Sequence, residues 1–146
     1  MKNLYYSLPL DFSLLMKKNY EHPYSSYDQS IAQNLFILIT SKYGEHRFDE
    51  SLGCEIWESD FQLITNQNIW KEKIRKSIEE IIANYEPRLK NCSVDVDLLE
   101  SEIISPLTNR KSIKKCIHLK VNGTTLLTGE KFQFVTKMFI SPLSIE

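Results

Sequence analysis

The chain has 146 residues, and 18 basic against 19 acidic side chains leave a net charge of −1. That length fits one domain able to bury roughly 70% of its unfolded surface. The near-neutral balance gives no sign of a nucleic-acid-binding stripe or a cationic membrane-surface face, and no apolar run reaches the ~18 residues of a membrane span.

Residues 1–25 read as an N-terminal extension packed on the domain that follows. Leu8-Pro9-Leu10 is extended, and Asp11 can cap a short turn through Phe12, Leu14, Leu15 and Met16 before His22-Pro23 ends it. The tyrosines at 5, 6, 20, 24 and 27 are either cover for the core or interface residues, a setting in which Tyr is enriched. The opening sequence lacks the apolar region and small-residue cleavage site of a secretory signal. Cys54, Cys92 and Cys116 are odd in number and far apart. This spacing points to free thiols in a reducing cytoplasm, with no structural metal or disulfide framework.

The domain proper is expected over residues 26–146. A helix from about Ser26 to Tyr43 starts on a capping box at Ser25, buries Ile31, Leu35, Leu38 and Ile39, and has Gly44 just past its end. Residues 45–67 read as an irregular loop anchored by Phe48, Leu52, Ile56, Trp57 and Phe61. Its acids and His46 suggest acid–base or metal chemistry only weakly, because no second histidine stands at ligand spacing. A second helix follows, with Trp70, Ile74, Ile78, Ile81, Ile82 and Tyr85 on one stripe.

Pro87 should stop that helix near Tyr85 and push Glu86 toward extended geometry. Glu86 and Arg88 are then two apart on a stiff backbone and lean to the same side. Two readings stay open: an internal ion pair that pins the helix end, or a docking point presenting a guanidinium fork.

Beyond the corner, Cys92, Val94, Val96 and Leu98 alternate as a half-buried strand. Leu99–Ser112, with Pro106 and several charges, reads as a loop. A strand opens at Ile113, Asn122-Gly123 signals a tight hairpin with Thr124–Leu127 pairing back, and Phe132, Phe134, Thr136, Met138 and Ile140 alternate in a last strand stopped by Pro142. The predicted fold class is α+β: two main helices on one face of a small, mainly antiparallel sheet of three to four strands. The last strand carries only Lys131 and Lys137 as charges. It is either an interior strand or an edge meant to be paired.

Phosphate loops, nucleophile elbows and zinc-protease motifs are not found in the sequence, and no cofactor is expected. No carboxyl pair is marked out by spacing for glycoside hydrolysis. The ordered set Ser30-Ile31-Ala32-Gln33-Asn34-Leu35, Ile39-Thr40, Gly44-Glu45, Arg47-Phe48, Leu52-Gly53 and Ile81 through Tyr85-Glu86-Pro87-Arg88-Leu89 resembles the GPW family. That family takes in the baseplate wedge protein of contractile phage tails and TssE of type VI secretion systems. The likeness is strongest over residues 26–98, and Glu-Pro-Arg after an isoleucine-rich helix is its most specific part. His46 interrupts a Gly-Glu-Arg run, and the tyrosine-rich first 24 residues and the C-terminal tail have no clear counterpart.

The resemblance implies a non-enzymatic, cytoplasmic baseplate protein that initiates sheath assembly. Its partners would be sheath subunits and other wedge proteins, with no nucleic acid and no membrane insertion. The partner-binding residues it points to are Glu86, Pro87 and Arg88 at the corner, with Phe132 and Phe134 on the last strand as the place where a sheath arm would add. The alternatives are a peptidoglycan-cleaving, lysozyme-like enzyme and a generic protein-interaction domain.

Overall fold

In the computed structural model, which describes residues 5–18, 20–58, 66–104, 107 and 111–140, the first long helix, α2, is set by Ser26. Its hydroxyl accepts the Gln29 amide at 3.2 Å and the Gln29 side chain accepts the Ser26 amide at 2.9 Å, a reciprocal capping box. The box sits one residue later than expected because Ser25 is buried in a strand, its hydroxyl 3.5 Å from the Tyr6 carbonyl. Helix α2 runs Tyr27–Thr40 and buries Ile31, Leu35, Leu38 and Ile39 as predicted. It ends three residues short of Tyr43. The hydroxyls of Thr40 and Ser41 fold back onto the Phe36 and Ile37 carbonyls at 2.7 Å each, and side-chain bonds of this kind compete with the helix ladder. Gly44 lies beyond, in a turn at φ 74°.

Ahead of α2, Tyr5–Tyr6 (β1) pairs antiparallel with Tyr24–Ser25 (β2), a ribbon not anticipated from the sequence. Between them Asp11 caps the four-residue α1, Phe12–Leu15, through the Ser13 and Leu14 amides, as expected. After α2 the loop folds back, with the Cys54 amide on the Ser41 carbonyl at 3.0 Å, and enters a 3-10 turn at Glu55–Glu58. Trp57 donates its indole N–H to the Ile39 carbonyl and Ile56 is fully buried, so the described part of the segment is held against the core there, whereas Phe48, expected as an anchor, is 96% exposed. Phe61 lies outside the described residues, as do Pro106 and Pro142.

Helix α3, Gln67–Tyr85, starts on Asn66 and buries Trp70, Ile74, Ile78, Ile81 and Ile82, the expected stripe. The sheet is three antiparallel strands in the order β3 (Leu89–Ile104), β4 (Lys111–Thr125), β5 (Lys131–Phe139). The two main helices pack against it, and Val94, Val96, Ile117, Leu119, Val121, Phe132 and Met138 meet the helix residues in one core. The α+β prediction therefore holds.

Two strand assignments are corrected. The segment from Leu99 is not a loop: β3 continues to Ile104 and β4 begins at Lys111, with Glu100 opposite Lys115 and Ile104 opposite Lys111. This part of the ribbon lies beyond β5, so it needs no apolar alternation, and its charges misled the pattern. Asn122-Gly123 is not a hairpin turn either. Both residues lie inside β4 opposite Gln133 and Phe132, and the chain reverses at residues 126–129, where Gly129 takes φ 70°. Gly123 stands beside a bulge in β3 at Asn91, which has φ 52°. A side chain at 123 would meet the Lys90 carbonyl at 3.3 Å, the close backbone approach that marks a strand glycine.

Candidate functional site

The corner between α3 and β3 brings Glu86 and Arg88 together by a turn rather than an extended segment. The Leu89 amide bonds the Glu86 carbonyl at 3.2 Å, with Pro87 at the second position, where its fixed φ suits a type I or II turn. Arg88 Nε donates to Glu86 Oε1 at 2.7 Å and Nη2 to Oε2 at 2.6 Å, a bidentate fork. Asn34 Nδ2 donates to the same Oε2 at 2.9 Å, and Arg88 Nη1 to Ser30 Oγ at 2.9 Å. The rings of Tyr5 and Tyr27 lie 5.1 and 5.8 Å from the guanidinium carbon, within cation–π range.

The Glu86 side chain is fully buried, and Arg88 keeps 22% of its side chain exposed. Burial alone would raise the Glu86 carboxyl, but the hydrogen bonds from Arg88 and Asn34 outweigh it and hold it below the ordinary glutamate range. Glu86 in turn raises Arg88. Both groups stay charged. Of the two readings of this pair, the internal ion pair is present, and Arg88 also has an outward edge, with exposed Pro87 beside it. The sequence argument did not assemble Ser30, Asn34 and Tyr27 into this corner. Their 3- and 4-residue steps form a polar stripe flanking buried Ile31 and Leu35, and that stripe is the legible signal.

The last strand is an edge. Among the described residues β5 pairs with β4 alone. The Ile140 amide bonds the Lys115 carbonyl and the Glu130 carbonyl accepts the Thr125 amide, both at 3.0 Å. Antiparallel pairs alternate between bonded and non-bonded, so the odd residues Lys131, Gln133, Val135, Lys137 and Phe139 turn their N–H and C=O groups to the open side. The even residues face the helices: Phe132 is 6% exposed and belongs to the core, while Phe134 is half-buried. The opposite edge, β3, is interrupted by its bulge and studded with Asp95, Asp97, Glu100 and Glu102, devices that discourage pairing.

Further concavities lie on the described surface. An apolar trough of about 840 Å³ lies between the N-terminal segment, α2 and β5, lined by Leu8, Pro9, Phe12, Ala32, Phe36 and Phe134 among others. A polar cleft of about 540 Å³ separates α3 from the sheet and contains Lys71, Glu72, Arg75, Asp97, His118 and Lys120. Two of its acids are held in ion pairs, Asp97 with Lys71 at 3.1 Å and Glu72 with Arg75. The Arg75 hydrogen bond holds Glu72 below its usual range.

Residues 25–125 match the family described as baseplate wedge protein gp25. The baseplate wedge protein gp25 of Enterobacteria phage T4 is 31% identical over 68 residues, which is 47% of this chain and 50% of that protein. The chain thus spans about half the length of this curated relative. Two solved structures share the fold. A Geobacter sulfurreducens protein provisionally assigned as a tail lysozyme superposes with TM-score 0.58 at 18% identity, covering 85% of this chain and 100% of the other. A chain of the type VI secretion system baseplate complex gives 0.51 at 15% identity, covering 77% and 92%. With 101 of its residues matched, the chain belongs to the baseplate wedge protein gp25 family.

Proposed function

We propose that this protein is a structural component of the baseplate of a contractile injection machine, phage-like or type VI, and that sheath assembly starts on it. The observation that carries this reading is the open β5 edge. Its five odd-numbered residues, Lys131 to Phe139, offer backbone groups to an extended arm of a sheath subunit, which would add as a further strand. The Glu86–Arg88 corner is the second contact. Glu86 holds Arg88 in place from within, and exposed Pro87 and the outer edge of Arg88 meet another wedge subunit.

The test uses Gln133→Pro. The Gln133 amide points to the open side, so proline there removes no backbone bond of the native sheet, only the exposed side-chain bond from Gln133 Nε2 to Asn122 Oδ1. The variant should stay folded by circular dichroism and fail to nucleate sheath when supplied to the assembling machine. Normal sheath growth would refute the edge mechanism.

The neighbour provisionally assigned as a tail lysozyme raises peptidoglycan cleavage as a second reading. Retaining and inverting glycosidases need one carboxyl raised to act as an acid. Here every described carboxyl with a displaced pKa is lowered: Asp11, Asp49, Glu72 and Glu86. This weighs against the enzyme, and purified protein should not clear peptidoglycan above a buffer control. Turnover that disappears on substituting one Asp or Glu would reverse that conclusion.

A further inference from the structure

The apolar trough and the open edge are one surface. Phe134 of β5 lines the trough and no residue of β3 or β4 does, so the trough lies on the side of β5 where a further strand would stand. Side chains of an added strand alternate in direction, and those on the Phe134 face point down between α2 and the N-terminal segment. There they meet Leu8, Phe12 and Phe36, which are 42%, 69% and 51% exposed. About 840 Å³ lies within the roughly 300–1,000 Å³ of ligand pockets. It takes more than one large side chain.

The outer face of the same edge has the opposite chemistry. Lys131 and Lys137 are exposed there, and in register behind them on β4 stand His118, opposite Lys137, and Lys120, opposite Val135. On β3, Asp97 and Asp95 face His118 and Lys120. Read across the sheet, the row Asp97–His118–Lys137 runs acid, base, base, whereas Asp95–Lys120 ends at Val135 and Lys131 follows Lys90 and Thr124. Beside the exposed ammonium groups of Lys131 and Lys137 the next position favours an acid, since opposite charges on neighbouring strands attract.

We propose that β5 selects its partner strand by sequence: large apolar residues at alternate positions fill the trough, and acidic residues at the intervening positions face Lys131 and Lys137. This rests on the edge reading given under Proposed function. The N-terminal segment is then one wall of the specificity site, because Leu8, Pro9 and Phe12 form the side of the trough opposite the sheet.

The test uses three fluorescein-labelled ten-residue peptides: one alternating Leu with Glu and Thr, one of the same composition shuffled, and one with Lys replacing Glu. Binding to the full chain is read by anisotropy, and contact with the edge by protection of the Gln133, Val135 and Lys137 amides from hydrogen exchange. The alternating acidic peptide should bind at least ten-fold more tightly than either control, protect those amides, and lose at least ten-fold in affinity on Phe36→Glu, a half-exposed position. Equal binding of alternating and shuffled peptides with the amides still protected overturns the selectivity while leaving the edge reading intact. Tight binding of the alternating peptide without amide protection overturns the edge reading and the inference with it. No binding by any peptide at millimolar concentration overturns the inference.

Discussion

Asn34 on α2 donates through one amide nitrogen to Glu86 Oε2 at 2.9 Å and to the Tyr85 carbonyl at 3.3 Å. It thereby closes the C-terminal end of α3 and satisfies a buried carboxylate at once. A hydrogen bond to a charged group is worth about 1.5–3 kcal/mol, and Asn34→Ala is expected to lower stability by that amount. Asn34→Asp should cost more, because it sets a second carboxylate against Glu86. Urea denaturation of the two variants would show the order, and equal losses would contradict the role of charge here.

Arg88→Ala leaves the Glu86 carboxylate buried without its counter-ion. Breaking a buried pair by removing one partner costs roughly 3–5 kcal/mol, so a large fall in melting temperature is expected. Arg88→Lys keeps the charge but loses the two-pronged geometry, and should fall in between. A melting temperature unchanged in Arg88→Ala would mean that the pair serves only as a contact surface.

The pair also sets an acid limit. The folded-state value of Glu86 lies below the ordinary glutamate value of 4.5. The stability it contributes is therefore complete above about pH 4.5 and is lost as pH falls through the folded-state value. Glu86→Gln should be less stable than the parent at neutral pH, and the gap should close on acidification. Chemical denaturation across that range tests this, and a gap that widened in acid would reverse the sign.

Gly53 is required by contact rather than by backbone angle. A methyl group there would stand 2.7 Å from the Lys42 carbonyl carbon and closer still to the Tyr43 amide nitrogen. Backbone cannot swing aside as a side chain does, so Gly53→Ala should destabilise by about 1–3 kcal/mol or more. The same change at Gly129, where nothing lies within 4 Å, meets only the cost of a positive φ. Thermal melts of both variants separate the two causes.

The elements read best from the sequence were those with a single strong physical cause. The α3 stripe of Trp70, Ile74, Ile78, Ile81 and Ile82 has one buried face, and Pro87 leaves the helix nowhere to continue. Asp11 at α1 works the same way, by one local side-chain bond. Misreadings came where a local signal had two outlets. Asn122-Gly123 suits a hairpin, yet the glycine is needed beside the β3 bulge. Adjacent Ser25 and Ser26 can both cap, and only the Tyr6 pairing decides between them. The charged stretch Glu100–Ile104 looks like a loop because strand patterns are legible only where one face is buried. In the candidate site, Glu86 and Arg88 were readable as neighbours, whereas Tyr5 reaches Arg88 from 83 positions away through a two-residue ribbon that no periodicity announces.

The β3–β4 ribbon outlasts its support. Among the described residues, the pairs from Ser101–Lys114 to Ile104–Lys111 have no third strand beside them, since β5 reaches only to Cys116. An isolated two-stranded hairpin is marginally stable in water, so this end relies on its attachment at the base, with one exposed ion pair across it, Lys111 with Glu102 at 3.7 Å. Opening should proceed like a zipper, from the Ile104–Lys111 pair inward, and stop where Ile117 and Leu119 enter the core. Backbone amides along β4 would then exchange in order of their distance from that anchor, fast at Lys111 and slow at Leu119. The described residues of β4 thus join a buried anchor to an unsupported end in one continuous strand.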